Sequence, residues 1–322
     1  SPDKYMQIIP LLKYLVLIFI SILILMALIY LSGEYQPVRY YSKLCNDKNA
    51  APDGNWHHNY DGFFIGKNGC LYNPKFTNIA DVPSTITYKK LSDKAPFKAP
   101  IWYVNGTDHR IAWTLLEMEL LSQKAERPVI GIYNATRGGR IPDTLVKIDK
   151  NSAVVHTLSA SIAQESAKDH PVFIRANNQG AVHSSFAIQK ALDALAIAFN
   201  EEKFKRIMGN IHVETSAATT HFFPEGPKYL HYINNYDPVP RKTGILSKPE
   251  SSAQLAPDPN TVIAQFADKD ISPIETRYHW LGPLSIRFNR VHGFNIYLKY
   301  RQPFNQLHEK GKEQAGEIIE IP

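Results

Sequence analysis

The ten residues Val172-Phe173-Ile174-Arg175-Ala176-Asn177-Asn178-Gln179-Gly180-Ala181 pass from a β-branched apolar run into a helical pattern with almost no turn between them. Their reading decides the fold. Runs of the same β-branched and aromatic kind lie upstream at Ile101–Val104 and Val129–Tyr133, and downstream at Ile211–Val213 and Tyr229–Ile233. Longer segments with helical periodicity stand between strands, at Ile111–Ala125, Ser152–Lys168 and Ala181–Phe199. Continuous apolar strands alternating with helices imply a parallel sheet covered on both faces. The expected fold class is therefore α/β: a three-layer, doubly wound, mostly parallel sheet with right-handed crossovers. In such a sheet chemistry gathers in loops at the carboxyl ends of strands. Here those loops are Val104-Asn105-Gly106-Thr107, Tyr133-Asn134-Ala135-Thr136-Arg137-Gly138-Gly139 and Ala176-Asn177-Asn178-Gln179-Gly180-Ala181.

A very short strand-to-helix turn is the geometry of a nucleophile elbow. At these residues the sequence resembles the α/β-hydrolase superfamily, in particular its lipase- and esterase-like members, whose elbow reads small-His-Ser-x-Gly-small. With Gly180 aligned, Ala176 and Ala181 take the small positions, Asn177 the His position and Asn178 the position of the nucleophilic Ser. The resemblance implies that Asp237, in the loop after Tyr229–Ile233, is the acid, and that His292, ahead of the helical stretch Asn295–Arg301, is the catalytic histidine. Nucleophile, acid and histidine then follow the superfamily's chain order. The resemblance also implies an oxyanion loop at Asn105-Gly106-Thr107, a second amide donor at Gln179, and a crevice to which Asn134 and Gly180 belong. It spans roughly Pro100 to Arg301.

The departure from that pattern falls on the reacting residue. Hydrolysis on this template needs an oxygen nucleophile whose proton a histidine removes, and a carboxamide supplies none. The elbow forces its central residue to φ > 0, which Asn tolerates better than most side chains. Asn178 therefore keeps the turn and deletes the attack. Ser184 and Ser185 lie roughly 9 Å further along the helix at ~1.5 Å per residue, so neither occupies the elbow. Thr107 and Thr136 have no spacing that pairs them with His292, and the chain has no Gly-x-Ser-x-Gly. Asn178, Asp237 and His292 are thus vestigial candidates, and Asp237-Pro238 also reads as ordinary turn chemistry.

Of 322 residues, 36 are Lys or Arg and 30 are Asp or Glu, a formal charge of +6, with 44% hydrophobic. That is the composition of a folded chain. Charges of both signs are interspersed without a basic block of the kind that tracks phosphates, so nucleic acid is not an expected partner. Two cysteines exclude a disulfide-built scaffold and a Cys-rich zinc module. No metal or cofactor is expected, and His57 and His58 read as part of a solvated loop.

The apolar residues are unevenly spread, because Tyr14–Gly33 carries no charge at all. About twenty such residues match the roughly 30 Å hydrocarbon core of a bilayer. Tyr14, Tyr30 and Tyr35 stand near the ends, where amphipathic aromatics prefer the interface. A single transmembrane helix over 14–33 is expected, with the lipid bilayer as its partner. Lys4 and Lys13 precede it while Arg39, Lys43 and Lys48 follow, which leaves orientation open. Cys45 and Cys70 bracket an irregular stretch rich in Asn, Gly and Pro. A Cys45–Cys70 bridge would tie that stretch down in an oxidising compartment and favours an extracytoplasmic domain; two unrelated thiols in a cytosolic domain are the alternative.

The expected organisation is an N-terminal flank (1–13), the transmembrane helix (14–33), an irregular extension (34–99), the α/β-hydrolase-like domain (100–302) and a C-terminal tail (303–322) whose Glu309-Lys310-Gly311-Lys312-Glu313 run reads as solvated. Arg137-Gly138-Gly139-Arg140 suits an anion cradle or a solvated loop. Asn105-Gly106-Thr107 and Asn134-Ala135-Thr136 match the N-glycosylation pattern. The function expected is that of a membrane-anchored pseudoenzyme that binds a small polar or acyl ligand or docks protein partners at the membrane. The alternatives are an active lipid or acyl-ester hydrolase in which His292 and Asp237 activate water, and a membrane-associated secreted effector.

Overall fold

Among the described residues, the apolar runs become strands of one nine-stranded sheet. The computed structural model describes residues 14–24, 60–88, 98–107, 109, 111–135, 149–242, 244–246, 260–269, 293–313 and 318–322. An antiparallel hairpin of β1 (Phe64–Ile65) and β2 (Leu71–Tyr72) forms one edge. The parallel strands are β3 (Ile101–Val104), β4 (Val129–Ile132), β5 (Val172–Asn177), β6 (Ile211–Ser216), β7 (Lys228–Asn234), β8 (Thr261–Phe266) and β9 (Ile319–Glu320). Their order is β2-β1-β4-β3-β5-β6-β7-β8-β9. The chain runs outward from β3 to β4, then returns to place β5 on the other side of β3. The strand order therefore reverses between β3 and β5, and a crevice is expected at their carboxyl ends.

Helices cover both faces, which is why β3, β4 and β6 are buried at every position. Residues 14–24 form α1, followed by α2 (Ile111–Ala125), α3 (Ala153–Ala167), α4 (Gln179–Ala198), α5 (Glu201–Gly209), α6 (Pro238–Lys242), α7 (Phe294–Lys299) and α8 (Phe304–Glu313). On one face α3 and α4 pack Val155, Leu158, Ile188 and Leu192 against Trp102, Ile130, Ile174 and Val213. On the other, Met118 and Leu121 of α2 and Phe294 and Leu298 of α7 meet Ile101 and Tyr103. Tyr297 of α7 and Phe304 and Leu307 of α8 cover Leu230, Tyr232 and Val262. Ser152 caps α3 by accepting from the Val155 N–H, and Asn200 caps α5 by accepting from the Lys203 N–H.

Two boundaries differ from expectation. The extension before residue 100 supplies β1 and β2, together with Ile79 and Val82 of the core, so its described part belongs to the domain. The segment after 302 is no tail: α8 packs on the sheet and β9 pairs with β8. A Cβ on Gly311 would lie 2.6 Å from the Val262 side chain, so Gly311 sits directly on β8, while Glu309 and Lys310 are exposed as expected. Two-residue strands carry no periodicity in sequence, and α8 buries only a narrow stripe, which is why neither segment announces itself.

Of the apolar N-terminal run, residues 14–24 are helical with every side chain exposed, and 25–33 lie outside the described residues. Among the described residues no helix is long and apolar enough to cross a membrane. Cys70 is buried and disulfide-bonded; Cys45 lies outside the described residues.

Candidate functional site

Asn178 stands between the last residue of β5 and the first of α4 at φ 48° and ψ −118°. That is the first central position of a type II′ turn, where glycine is the natural occupant. The turn is fixed from the β6 side. The Asn178 N–H donates to the Ser216 carbonyl at 2.9 Å, while its own carbonyl accepts from the Ala181 N–H at 3.1 Å and the Thr219 hydroxyl at 3.3 Å. The β3 side closes on it through two glycines. A Cβ on Gly180 would sit 2.5 Å from the Val104 carbonyl oxygen, and one on Gly106 would sit 3.2 Å from the Asn178 Cβ. The loops after β3 and β5 thus meet at the elbow, where the strand order reverses.

Gln179 and Gly180 open α4, so their backbone N–H groups have no intrahelical acceptor and lie at the positive end of the helix dipole. The Gln179 carboxamide and the Thr107 hydroxyl are buried and make no hydrogen bond to the described residues.

Asparagine ends β5 and β7 and follows β3 and β4, and each carboxamide bonds to the neighbouring strand or the loop after it. Asn105, after β3, accepts from the Asn134 N–H at 2.8 Å and donates to the Asn134 carbonyl at 2.8 Å. Asn134 returns a bond from its own carboxamide nitrogen to the Asn105 carbonyl at 3.3 Å. Asn177 accepts from the Ser216 hydroxyl at 3.0 Å. Asn234 donates to the Asp268 carbonyl at 2.8 Å and accepts from its N–H at 3.1 Å. Asn105 and Asn134 therefore join the loops that follow β3 and β4. Their carboxamides are buried and engaged, which removes them from glycosylation in the folded protein.

Asp237 is fully buried at the carboxyl end of β7, one strand beyond β6 from the elbow. One carboxylate oxygen accepts from the Tyr297 hydroxyl at 2.6 Å and the other from the Val239 N–H at 2.9 Å. Burial and the Asp237 carboxylate hold the Tyr297 phenol well above its ordinary pKa, so it stays a donor. With Pro238 opening α6, Asp237 also fills the N-cap position of that helix. His292, Thr136 and Arg137 to Arg140 lie outside the described residues. Of the three vestigial candidates, Asn178 and Asp237 are thus placed on the same carboxyl edge.

Two polar clusters escaped the sequence reading. Beside the elbow, the Thr107 carbonyl accepts from His109 Nδ1 at 2.8 Å, His109 Nε2 meets Glu117 at 2.9 Å, and the Tyr103 hydroxyl donates to the other Glu117 oxygen at 2.6 Å. Burial, then the Glu117 carboxylate, raise the Tyr103 phenol well above its usual range. Both imidazole nitrogens are engaged, so His109 holds the loop and is not poised as a base. Beneath the elbow, Glu214 accepts from Arg175 at 3.1 Å and from Arg301 at 2.8 and 2.6 Å. Burial lowers the Arg175 pKa. Each cluster had a signal: Arg175 is a charge inside an apolar strand, and Glu117 lies on the stripe of α2 that also buries Thr114, Met118 and Leu121.

No protein-family model and no curated protein matches the chain. Among solved structures, it is similar to an esterase of Pyrobaculum calidifontis (monoclinic form) at 10% identity and a TM-score of 0.35, over 62% of this chain and 76% of that one. A likeness at that level carries no argument about activity. The mostly parallel sheet, flanked by helices and carrying a strand-elbow-helix turn at its order reversal, fits the α/β-hydrolase fold.

Proposed function

We propose that the protein is a membrane-anchored, α/β-hydrolase-like binding or assembly module that has lost its nucleophile. One observation carries the reading: the elbow backbone is kept at Asn178, φ 48°, while the side chain there is a carboxamide. A strained turn without its reactive oxygen retains the crevice and forgoes covalent catalysis. The anchor is supported by residues 14–24, a helix whose exposed side chains are all apolar or aromatic except Ser21. An extracytoplasmic domain is supported by the disulfide at Cys70, since such bonds persist in oxidising compartments.

The test is ester turnover by the full chain in detergent, with p-nitrophenyl acetate and butyrate, for wild type, Asn178→Ser and Asn178→Ser/His292→Ala. Wild type is expected to match the blank, Asn178→Ser to gain turnover, and the double variant to lose it again. Wild-type turnover that disappears in His292→Ala would establish an active hydrolase instead.

A further inference from the structure

We infer that the elbow crevice takes a neutral ligand presenting a hydrogen-bond donor beside an acceptor, a primary carboxamide or peptide amide, recognised by Gln179 and Thr107. The inference rests on the reading of the crevice as a binding site and narrows what it binds. Gln179 is the first residue of the 20-residue helix α4 and is 1% exposed, yet neither Oε1 nor Nε2 makes a hydrogen bond to the described residues. The Thr107 hydroxyl, next to the glycine that abuts Asn178, is likewise buried and makes none to the described residues. Buried polar atoms left unpaired cost stability, and folded proteins keep few of them. Here they sit on the two segments that meet at the elbow, beside helix N–H groups that also lack an internal acceptor.

The available atoms select the ligand. A carboxamide offers an acceptor oxygen and a donor nitrogen, and a hydroxyl offers both roles. Among the described residues, the ionisable groups near the elbow are countered by one another: His109 with Glu117, Glu117 with Tyr103, Asp237 with Tyr297, and the buried Arg175 with Glu214. A carboxylate or phosphate would therefore find no charged side chain of this set to pair with. An ester has no donor for Gln179 Oε1. An amide satisfies both ends of the Gln179 carboxamide, and its carbonyl dipole suits the helix terminus.

Calorimetric titration of the full chain in detergent with hexanamide, hexanoate and methyl pentanoate compares three head groups on similar chains. Hexanamide is expected to bind about tenfold more tightly than either of the others. Gln179→Met, similar in shape without the amide, is expected to abolish that preference while melting no lower than wild type, because it removes unpaired buried groups. Thr107→Val is expected to weaken hexanamide about threefold, and it decides the matter alone should Gln179→Met fail to fold. Hexanoate or the ester binding as tightly as the amide, an amide preference that survives both substitutions, or no binding by any of the three would overturn the inference. Release of hexanoate or methanol by wild type would instead overturn the binding-module reading, independently of which head group is preferred.

Discussion

At φ 48° and ψ −118°, the Asn178 backbone costs a non-glycine residue on the order of 1–3 kcal/mol, a cost its surroundings offset by holding the turn from both sides. Asn178→Gly is accordingly expected to raise the unfolding free energy by about 1 kcal/mol, and Asn178→Val to lower it by more than about 1 kcal/mol, in urea denaturation. Equal stabilities for the three proteins would mean that the turn stores no strain. The sequence made this position legible because a strand, Gly180 and flanking alanines frame it. Its supports were not legible. Ser216 and Thr219 come from β6 and the loop after it, and contacts between segments distant in the chain leave no local pattern.

Elements with a continuous apolar signature match the sequence pattern best: α2 at Ile111–Ala125 and β3 at Ile101–Val104 are as expected and β7 extends one residue further at each end, whereas β5 and β6 run three residues beyond their apolar runs, through Arg175-Ala176-Asn177 and Glu214-Thr215-Ser216. α5 and β8 were not seen. In α5 the apolar stripe is short, with Ile207 buried and Phe204 and Met208 partly buried against the core, and Asn200 followed by Glu201 and Glu202 is its helix-start signal. β8 interleaves buried Val262, Ala264 and Phe266 with partly exposed Thr261, Ile263 and Gln265, as a strand near a sheet edge does. The asparagine bridges join elements the sequence shows only separately. A double-mutant cycle on Asn105→Ala and Asn134→Ala, measured by urea denaturation, is expected to give a coupling of about 0.5–3 kcal/mol, and strict additivity would show that the bridge does not link the β3 and β4 loops.

For the whole molecule, alternation of runs gave the α/β class, whereas strand order, the β1–β2 edge and the closing β9 depend on pairings that no local pattern encodes. Burial also sets how the fold responds to acid. It lowers the pKa of His231 to about 3 and of His183 and His212 to about 4. The unfolded chain takes up these protons below about pH 6.5 while the folded chain does not, so stability is full above that pH and falls between it and about pH 4. Each histidine contributes up to ~1.4 kcal/mol per pH unit in that window. Urea midpoints are expected to be level from pH 7 to 8 and to decline below 6.5, with a shallower decline in His231→Gln. The central claim, that the fold keeps its elbow without a nucleophile, is tested most directly by the stoichiometry of covalent labelling with a fluorophosphonate, which reacts with an activated serine hydroxyl. The account predicts an unlabelled wild-type chain and labelling of Asn178→Ser that is lost when His292→Ala is added; stoichiometric, His292-dependent labelling of the wild type would contradict it.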